Sequence, residues 1–505
     1  MVWDLIRDST FGHLVRLASK GRIFSYAEER DTSLWKKFVN EEKSGYIAHH
    51  GDTSPPSDYS KEELRGVRTG DDDYAYPSAH ADLPEERYNE ASDVRIDSEK
   101  GKDLHVIDWY GPDDPDNPRN WSTTKKFFVT FEIVFLTFSV YIGSAIYSAG
   151  IIGVQQTFGV SQVAATLGLT LYVAGYGLGP MVWAPMSEVP YIGRNPIYIS
   201  TLSTGGATIA DMYRPQKQAY GLCVWGIGAV CGPVLGPLVG GFAAEAKGWT
   251  WTIWEIMWLS GFCWVFLFFF LPETSSTNIL YRRTRRLHIA MMTLVRPITL
   301  NFTEPMVFLL KLYIALVYGL LYIWFESFPI VFIEIYGFTL GQQGLAFLGL
   351  LVGALITLVC LFSWLYFYQE KQFNENGEIE PEKRLQPAMV GAFFVPICLF
   401  WFGWSARSDI HWIMPIIGSS FFSVAAFLLF QAVLPYLSDA YPEYLASVFA
   451  GNDLFRSSFG AGNLGVNWAS STLAFLGIVF IPIPFVLYSY GARLRKMSRH
   501  AKKDF

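Results

Sequence analysis

The chain has 505 residues and a formal net charge of −6; 51% of its residues are hydrophobic, 17% aromatic and 17% charged. Soluble domains carry about 25% charged residues, so this balance, with a mean hydropathy of +0.24, points to a membrane protein with no nucleic-acid partner. All five cysteines (Cys223, Cys231, Cys263, Cys360, Cys398) lie in apolar stretches and the eight histidines are scattered, a pattern that argues against a disulfide framework or a metal cluster.

In chain order, residues 1–126 read as a hydrophilic cytoplasmic tail that is largely disordered. Asp4, Arg7 and Asp8 argue against a cleavable signal peptide, so the first true span is expected to be the targeting signal. Val2, Trp3, Leu5, Ile6, Phe11, Leu14, Val15 and Leu17 are placed as in a short amphipathic helix, which suits either a membrane surface or solvent. Residues 52–102 are rich in Ser, Asp, Glu and Pro and too polar to bury a core; Asp71, Asp72 and Asp73 read as a solvated charge run.

Apolar runs then follow near 127–151, 163–184, 219–243, 252–271, 307–333, 345–367, 388–404, 412–437, 445–462 and 468–488. That gives about ten candidate spans, each near the roughly 20 residues a bilayer requires. None alternates with period two, so they are helices and not barrel strands. Arg119, Lys125 and Lys126 precede the first run; Arg194, Arg214 and Lys217 lie between the second and third. Arg282, Arg283, Arg285 and Arg286 occupy a central loop, Lys371, Lys383 and Arg384 a later one, and six Lys or Arg residues from Arg493 to Lys503 close the chain. The positive-inside rule makes both termini and the central loop cytoplasmic. The expected organisation is an all-α polytopic membrane protein. Residues 127–274 form an N-terminal bundle, 275–306 a cytoplasmic loop, 307–490 a C-terminal bundle and 491–505 a basic tail.

The most informative run is 219–243, AYGLCVWGIGAVCGPVLGPLVGGFA. Gly226, Gly228, Gly232, Gly236, Gly240 and Gly241 strip side chains from a helix so that another backbone packs very closely. Pro233 and Pro237 interrupt its hydrogen-bond ladder and bend it. Two readings are open: a flat face on which two bundles rock, or a tight packing face with no part in transport.

The stretch GPMVWAPMSEVPYIGRNP, 179–196, ends a span. Gly179 and Pro180 bend its backbone, and Pro185, Ser187, Glu188, Gly193 and Arg194 follow at the cytoplasmic surface. Glu188 and Arg194 suit a charge latch that breaks when the inner face opens; plain interfacial anchoring fits as well. Ionisable residues inside spans are costly and usually face a cavity. Glu326, within Tyr322-Ile-Trp-Phe-Glu-Ser-Phe328, is the leading candidate for a protonatable or cation-sensing group, with a buried structural pair as the alternative. Asp453 and Arg456 share a helical face at a three-residue offset and are placed to neutralise each other. Glu132, Lys311 and Glu255 lie near helix ends, which favours snorkelling or structural roles. Tyr147, Tyr172, Tyr318, Tyr322, Trp324, Phe325 and Phe421 are candidate walls for an amphipathic substrate.

These residues resemble the major facilitator superfamily, most closely its fungal drug:proton antiporter group with twelve helices, the group of benomyl, cycloheximide and azole resistance pumps. The resemblance covers roughly residues 105–505 and rests on four stretches. Asp108-Trp-Tyr-Gly-Pro-Asp-Asp-Pro-Asp-Asn-Pro-Arg-Asn-Trp121 resembles the approach to helix one. Residues 179–196 resemble the loop motif between helices two and three, 226–241 the antiporter motif of helix five, and Leu271-Pro-Glu-Thr274 the end of helix six. The resemblance implies proton-coupled export of small amphipathic drugs or toxicants by alternating access, through a monomer in the plasma membrane. The implied partners are the lipid bilayer, a small-molecule substrate and protons. No phosphate-cradling Gly-Lys-Ser/Thr loop is present, so no nucleotide and no cofactor is expected.

The chain departs from that family between Leu202 and Ser203. Pro196-Ile-Tyr-Ile-Ser-Thr-Leu202 runs directly into Ser-Thr-Gly-Gly-Ala-Thr-Ile-Ala-Asp211, which resembles the cytoplasmic end of helix four. Most of helices three and four, about 40–50 residues, is expected to be missing. With them goes the helix-four arginine that the family links to proton coupling. A smaller gap follows Gly462. The alternatives are therefore polyamine or organic-cation export, or a transport-dead membrane protein. A membrane-embedded enzyme is disfavoured, because no His, Asp or Cys cluster is visible.

Overall fold

The computed structural model describes residues 2–26, 109, 111–189, 192–197, 203–284, 304, parts of 307–319, 327–375, 377–441, 448–449, 466–498 and 501–502. Residues Met1–Tyr26 and Trp109–Phe505 belong to one compact unit. The described elements are helical, with a single isolated bridge between Ser9 and Pro272.

Two short helices open the chain, α1 (Val2–Asp8) and α2 (Thr10–Ala18). Ser9 caps α2 by accepting from the Gly12 N–H, which supplies one of the four orphan donors at a helix start. The first long helix, α3 (Thr123–Ile146), is capped by Ser122. A tight turn leads to α4 (Ile151–Phe158), which ends on Gly159 at φ +62, the left-handed stop that glycine favours. Then come α5 (Gln162–Ser187), the short α6 (Ser203–Met212), α7 (Pro215–Lys247) and α8 (Thr250–Phe270), followed by α9 (Ser276–Thr284). The second half holds α10 (Leu340–Ala346), α11 (Leu348–Trp364), α12 (Gln386–Ser405), α13 (Ile413–Ala440), α14 (Val466–Phe480) and α15 (Pro482–Met497). Thr339 and Gln342 form a reciprocal capping box at the start of α10.

Eight segments among the described residues are long and apolar enough to cross a membrane. They correspond to eight of the ten runs read from the sequence. The run at 307–333 is described only in part, and that at 445–462 lies mostly outside the described residues. The ten described residues of α6 rise only about 15 Å, half of a hydrocarbon core about 30 Å thick, so by themselves they do not span. Only 11% of the apolar window of α8 is buried; its exposed Trp258, Phe262 and Trp264 form a face suited to lipid tails.

Two large apolar clusters hold the helices together. One joins Val129 and Ile133 of α3 and Leu222 and Trp225 of α7 to Leu434 and Leu437 of α13. The other packs Phe328, Phe332 and Phe347 with Phe402 of α12 and Phe422 of α13. The first 26 residues, expected in a polar tail, fold back onto α8. Leu5 is buried, and the Phe11 ring lies 4.8 Å from Phe269 and 6.1 Å from Phe268. The stretch read as disordered, 52–102, lies outside the described residues.

Candidate functional site: a glycine-faced helix and a cytoplasmic latch

The glycines of α7 lie in a row against α3, one turn apart. A Cβ at Gly228 would sit 2.7 Å from the Val134 carbonyl oxygen, and one at Gly232 2.7 Å from Tyr141 Cβ. At Gly236 it would meet Ala145 Cβ at 2.5 Å, and at Gly240 the Ile146 oxygen at 2.6 Å. No side chain fits at these four positions without separating the helices, so the spacing exists to let the two backbones touch. Trp225 donates to Thr137 Oγ1 at 2.7 Å and fixes the register.

The other faces of α7 meet the second half of the chain. At its outer end, a Cβ at Gly241 would meet the Leu340 oxygen at 2.6 Å. Gly344 of α10 reciprocates by lying on Pro237 and Leu238, and the Gly341 N–H donates to Glu245 Oε2 at 3.1 Å. Pro237 thus stands where α10 needs a close approach, and α7 continues through both prolines. At the inner end Gln218 donates to Ser438 Oγ of α13, and Gln431 of α13 donates to the Leu222 oxygen at 3.1 Å. Arg384, 1% exposed, donates to Asp439 at 2.9 Å and to the Pro215 oxygen at 2.9 Å. Lys217 pairs with Glu370 at 2.6 Å. One helix therefore carries contacts from the first half along one face and from the second half at both ends.

The loop after α5 forms the second part of the site. Arg194 is nearly buried and forks onto Asp211 of α6, Nε to Oδ2 at 2.5 Å and Nη2 to Oδ1 at 3.2 Å. The fork matches two donors to two acceptors, the geometry that makes arginine–carboxylate pairs strong. Its Nη1 lies 3.5 Å from Ser187 Oγ. Glu273, just beyond α8, accepts the backbone N–H groups of Arg194 and Asn195, each at 3.0 Å, and those of Thr274 and Ser275 at 3.1 and 2.8 Å. Burial pushes the Glu273 carboxyl above its ordinary range, while these donors and the Arg194 charge pull it down. Gly193, at φ +75, lies against Glu273 and Asn278, where a Cβ would fall 2.5 Å from a Glu273 oxygen. Pro185 is buried in the last turn of α5.

The N-terminal helices close this site from below. Asn195 donates to the Asp8 oxygen at 2.9 Å and accepts from Thr10 Oγ1 at 2.8 Å. The Glu273 N–H donates to the same Asp8 oxygen at 3.0 Å. Tyr26 is buried beneath the guanidinium groups of Arg282 and Arg16, 3.6 and 4.4 Å from its ring centre.

Sequence reading paired Glu188 with Arg194 as a latch, with plain interfacial anchoring as the alternative; the structure forks Arg194 onto Asp211. Asp211 stood in the helix-four remnant and Glu273 in the Leu-Pro-Glu-Thr stretch, yet neither had been given a role. Both were findable, since each is a carboxylate at a helix end. Gly179 lies inside α5, which runs on through Pro180 and Pro185 to Ser187, so the helix does not end where the motif begins. Tyr147 and Tyr172 tie α3 to α5, donating to the Ala165 and Val140 oxygens at 2.9 and 3.0 Å. Phe421 stacks on Phe394. Tyr318, Tyr322, Trp324, Phe325, Glu326, Asp453 and Arg456 lie outside the described residues.

Residues 200–462 match the family model described as Major Facilitator Superfamily. The chain is 40% identical to the "Transporter mfs1" of Schizosaccharomyces pombe, over 83% of this chain and 92% of that protein. It is 38% identical to the "Fluconazole resistance protein 1" of Saccharomyces cerevisiae, over 79% and 85%. It is 33% identical to the "Cycloheximide resistance protein" of Candida maltosa, over 98% and 99%. The first of these alignments runs over 491 positions while taking in 83% of this chain, so that relative carries stretches without a counterpart here. A matched transporter family, a helical membrane architecture and relatives matched over most of their length agree: the chain belongs to the Major Facilitator Superfamily.

Proposed function

We propose that this protein exports small amphipathic toxicants from the cytoplasm in exchange for protons, as a monomer in the plasma membrane with both termini cytoplasmic. The observation that carries this reading is the row Gly228, Gly232, Gly236 and Gly240 lying on α3 while Gly241 lies on α10. Smooth backbone contact on both sides lets α7 slide or tilt between the two halves without dragging side chains through a neighbour. The Arg194–Asp211 fork and the Glu273 cradle act at the inner end as the catch that holds the cytoplasmic side closed. Relatives named for fluconazole and cycloheximide resistance support an exporter of this substrate class.

The proton gradient supplies the energy, and substrate moves as the two halves expose a shared cavity to one side and then the other. Glu326, Asp453, Arg456, Tyr322 and Trp324 remain candidates for its lining.

A second reading has its own observation. The α6 remnant has ten described residues, which by themselves do not span, and the longer relatives support the absence of a helix pair at Leu202–Ser203. A chain without those helices is a stable membrane protein that does not transport. Expression in a drug-sensitised yeast strain separates the two. Lower retention of fluconazole supports export; unchanged retention with the protein present in the membrane supports the transport-dead reading.

A further inference from the structure

Glu132 lies in the membrane half of α3 nearest the cytoplasm, and sequence position alone gives it a snorkelling or structural role. The structure places it elsewhere. It is 0% exposed, so it does not snorkel to the surface. Both carboxyl oxygens are buried without a hydrogen-bond partner. Its neighbours one turn away on the same face are aromatic and pack across to α8: Phe128 against Phe266 and Phe270 at 6.0 and 6.4 Å, and Phe135 against Phe262 at 5.9 Å.

Among the described residues, few titratable groups surround it. Cys263 faces it from α8. At the α6–α7 junction, Tyr213 reaches α3 two residues away, where its hydroxyl meets Thr130 Oγ1 at 3.0 Å. From α7 comes Trp225, bonded to Thr137, and from α6 the backbone of Gly205 beside Ile133; neither contact brings a charge. Tyr172 and Tyr176 of α5 touch α3 farther along, at Val140 and Tyr141. Lys125 and Lys126 stand at the start of α3 itself.

We propose that Glu132 is a proton-binding site of this transporter, occupied in the closed form and emptied when α3 and α8 part. A bare carboxylate in an apolar pocket has nothing to stabilise its charge, so the group keeps its proton there. The route for release is built into α8, because its cytoplasmic end carries Glu273 and through it the loop of Arg194. When that catch opens, the end of α8 is free to move from α3 and water reaches the carboxyl. Only an O–H bond is made or broken: the proton leaves to water on one side and returns from water on the other.

This proposal rests on the proton-exchange reading, and the test separates the two. The full chain and its Glu132→Gln and Glu132→Asp variants are reconstituted in lipid vesicles. Three readouts follow: infrared difference bands of protonated carboxyl, substrate counterflow without a pH gradient, and gradient-driven accumulation of fluconazole. A protonated-carboxyl band in the parent that Glu132→Gln removes is expected. Glu132→Gln should keep counterflow and lose gradient-driven accumulation at least tenfold, with partial recovery in Glu132→Asp. Gradient-driven accumulation undiminished in Glu132→Gln overturns the proposal. If the parent itself ignores the gradient, the proton-exchange reading falls, and the infrared band then decides Glu132 alone: its absence in the parent overturns the site.

Discussion

Arg194 and Asp211 are joined by a two-pronged ion pair whose side chains are 10% and 19% exposed. The pair ties the loop after α5 to the remnant α6. Because the adjacent backbone is held by Glu273, the same loop is also tied to the end of α8. Two transmembrane segments, α5 and α8, and the short α6 are therefore fastened at one point.

Asp211→Asn removes the charge and keeps the shape, taking from Arg194 the carboxylate its fork matches. Loss of one partner of a buried pair costs about 3–5 kcal/mol; the residual exposure here places the expected loss at the low end. Thermal unfolding of the detergent-solubilised protein should shift down by several degrees. Cysteine labelling of the cytoplasmic face should increase. Unchanged melting and labelling would show that the pair holds nothing.

Gly232→Leu should abolish export while leaving membrane insertion intact, because a side chain there meets the Tyr141 side chain and the Ile142 and Phe138 backbone. Gly261→Ala is the control: nothing lies within 4 Å of that position on α8, and alanine improves helix propensity by up to about 1 kcal/mol. Export should survive it. Equal export in the Gly232 variant would remove the role assigned to the close α3–α7 contact.

Asn195→Ala cuts both links from the N-terminal helices to the loop, those to Asp8 and Thr10. Each neutral hydrogen bond contributes about 1 kcal/mol, so a loss of roughly 2 kcal/mol is expected. Limited proteolysis should then cleave the first 26 residues sooner. A protease-resistant N-terminus in the variant would show that the apolar contacts of Leu5 and Phe11 suffice.

Much of this arrangement is legible before any coordinates. The glycine positions of α7 are readable because the absence of a side chain is itself the signal, and helical spacing says which positions share a face. Spans are readable because lipid demands long apolar helices. The fork of Arg194 onto Asp211 is harder to read, since the two are 17 residues apart and only the fold brings α6 to the loop. For Glu132 burial removes only the snorkelling half of the reading, because nearness to a helix end implies access to water only when no neighbour covers that end. Docking of residues 2–26 was half visible, in the amphipathic spacing, but whether that face meets lipid, solvent or α8 is a tertiary fact.

The junction at Leu202–Ser203 has a direct check. Sequencing the mature transcript across codons 195–215 and 455–470 should reveal a longer coding sequence that adds a helix pair. A transcript matching this chain would instead favour the transport-dead reading.

The most direct test of the exporter assignment is uptake of labelled fluconazole by inside-out vesicles containing the protein, with an acidic interior imposed at the start. Accumulation that collapses when a protonophore is added is the expected result. Accumulation no greater than in protein-free vesicles, with the protein folded and inserted, would contradict it.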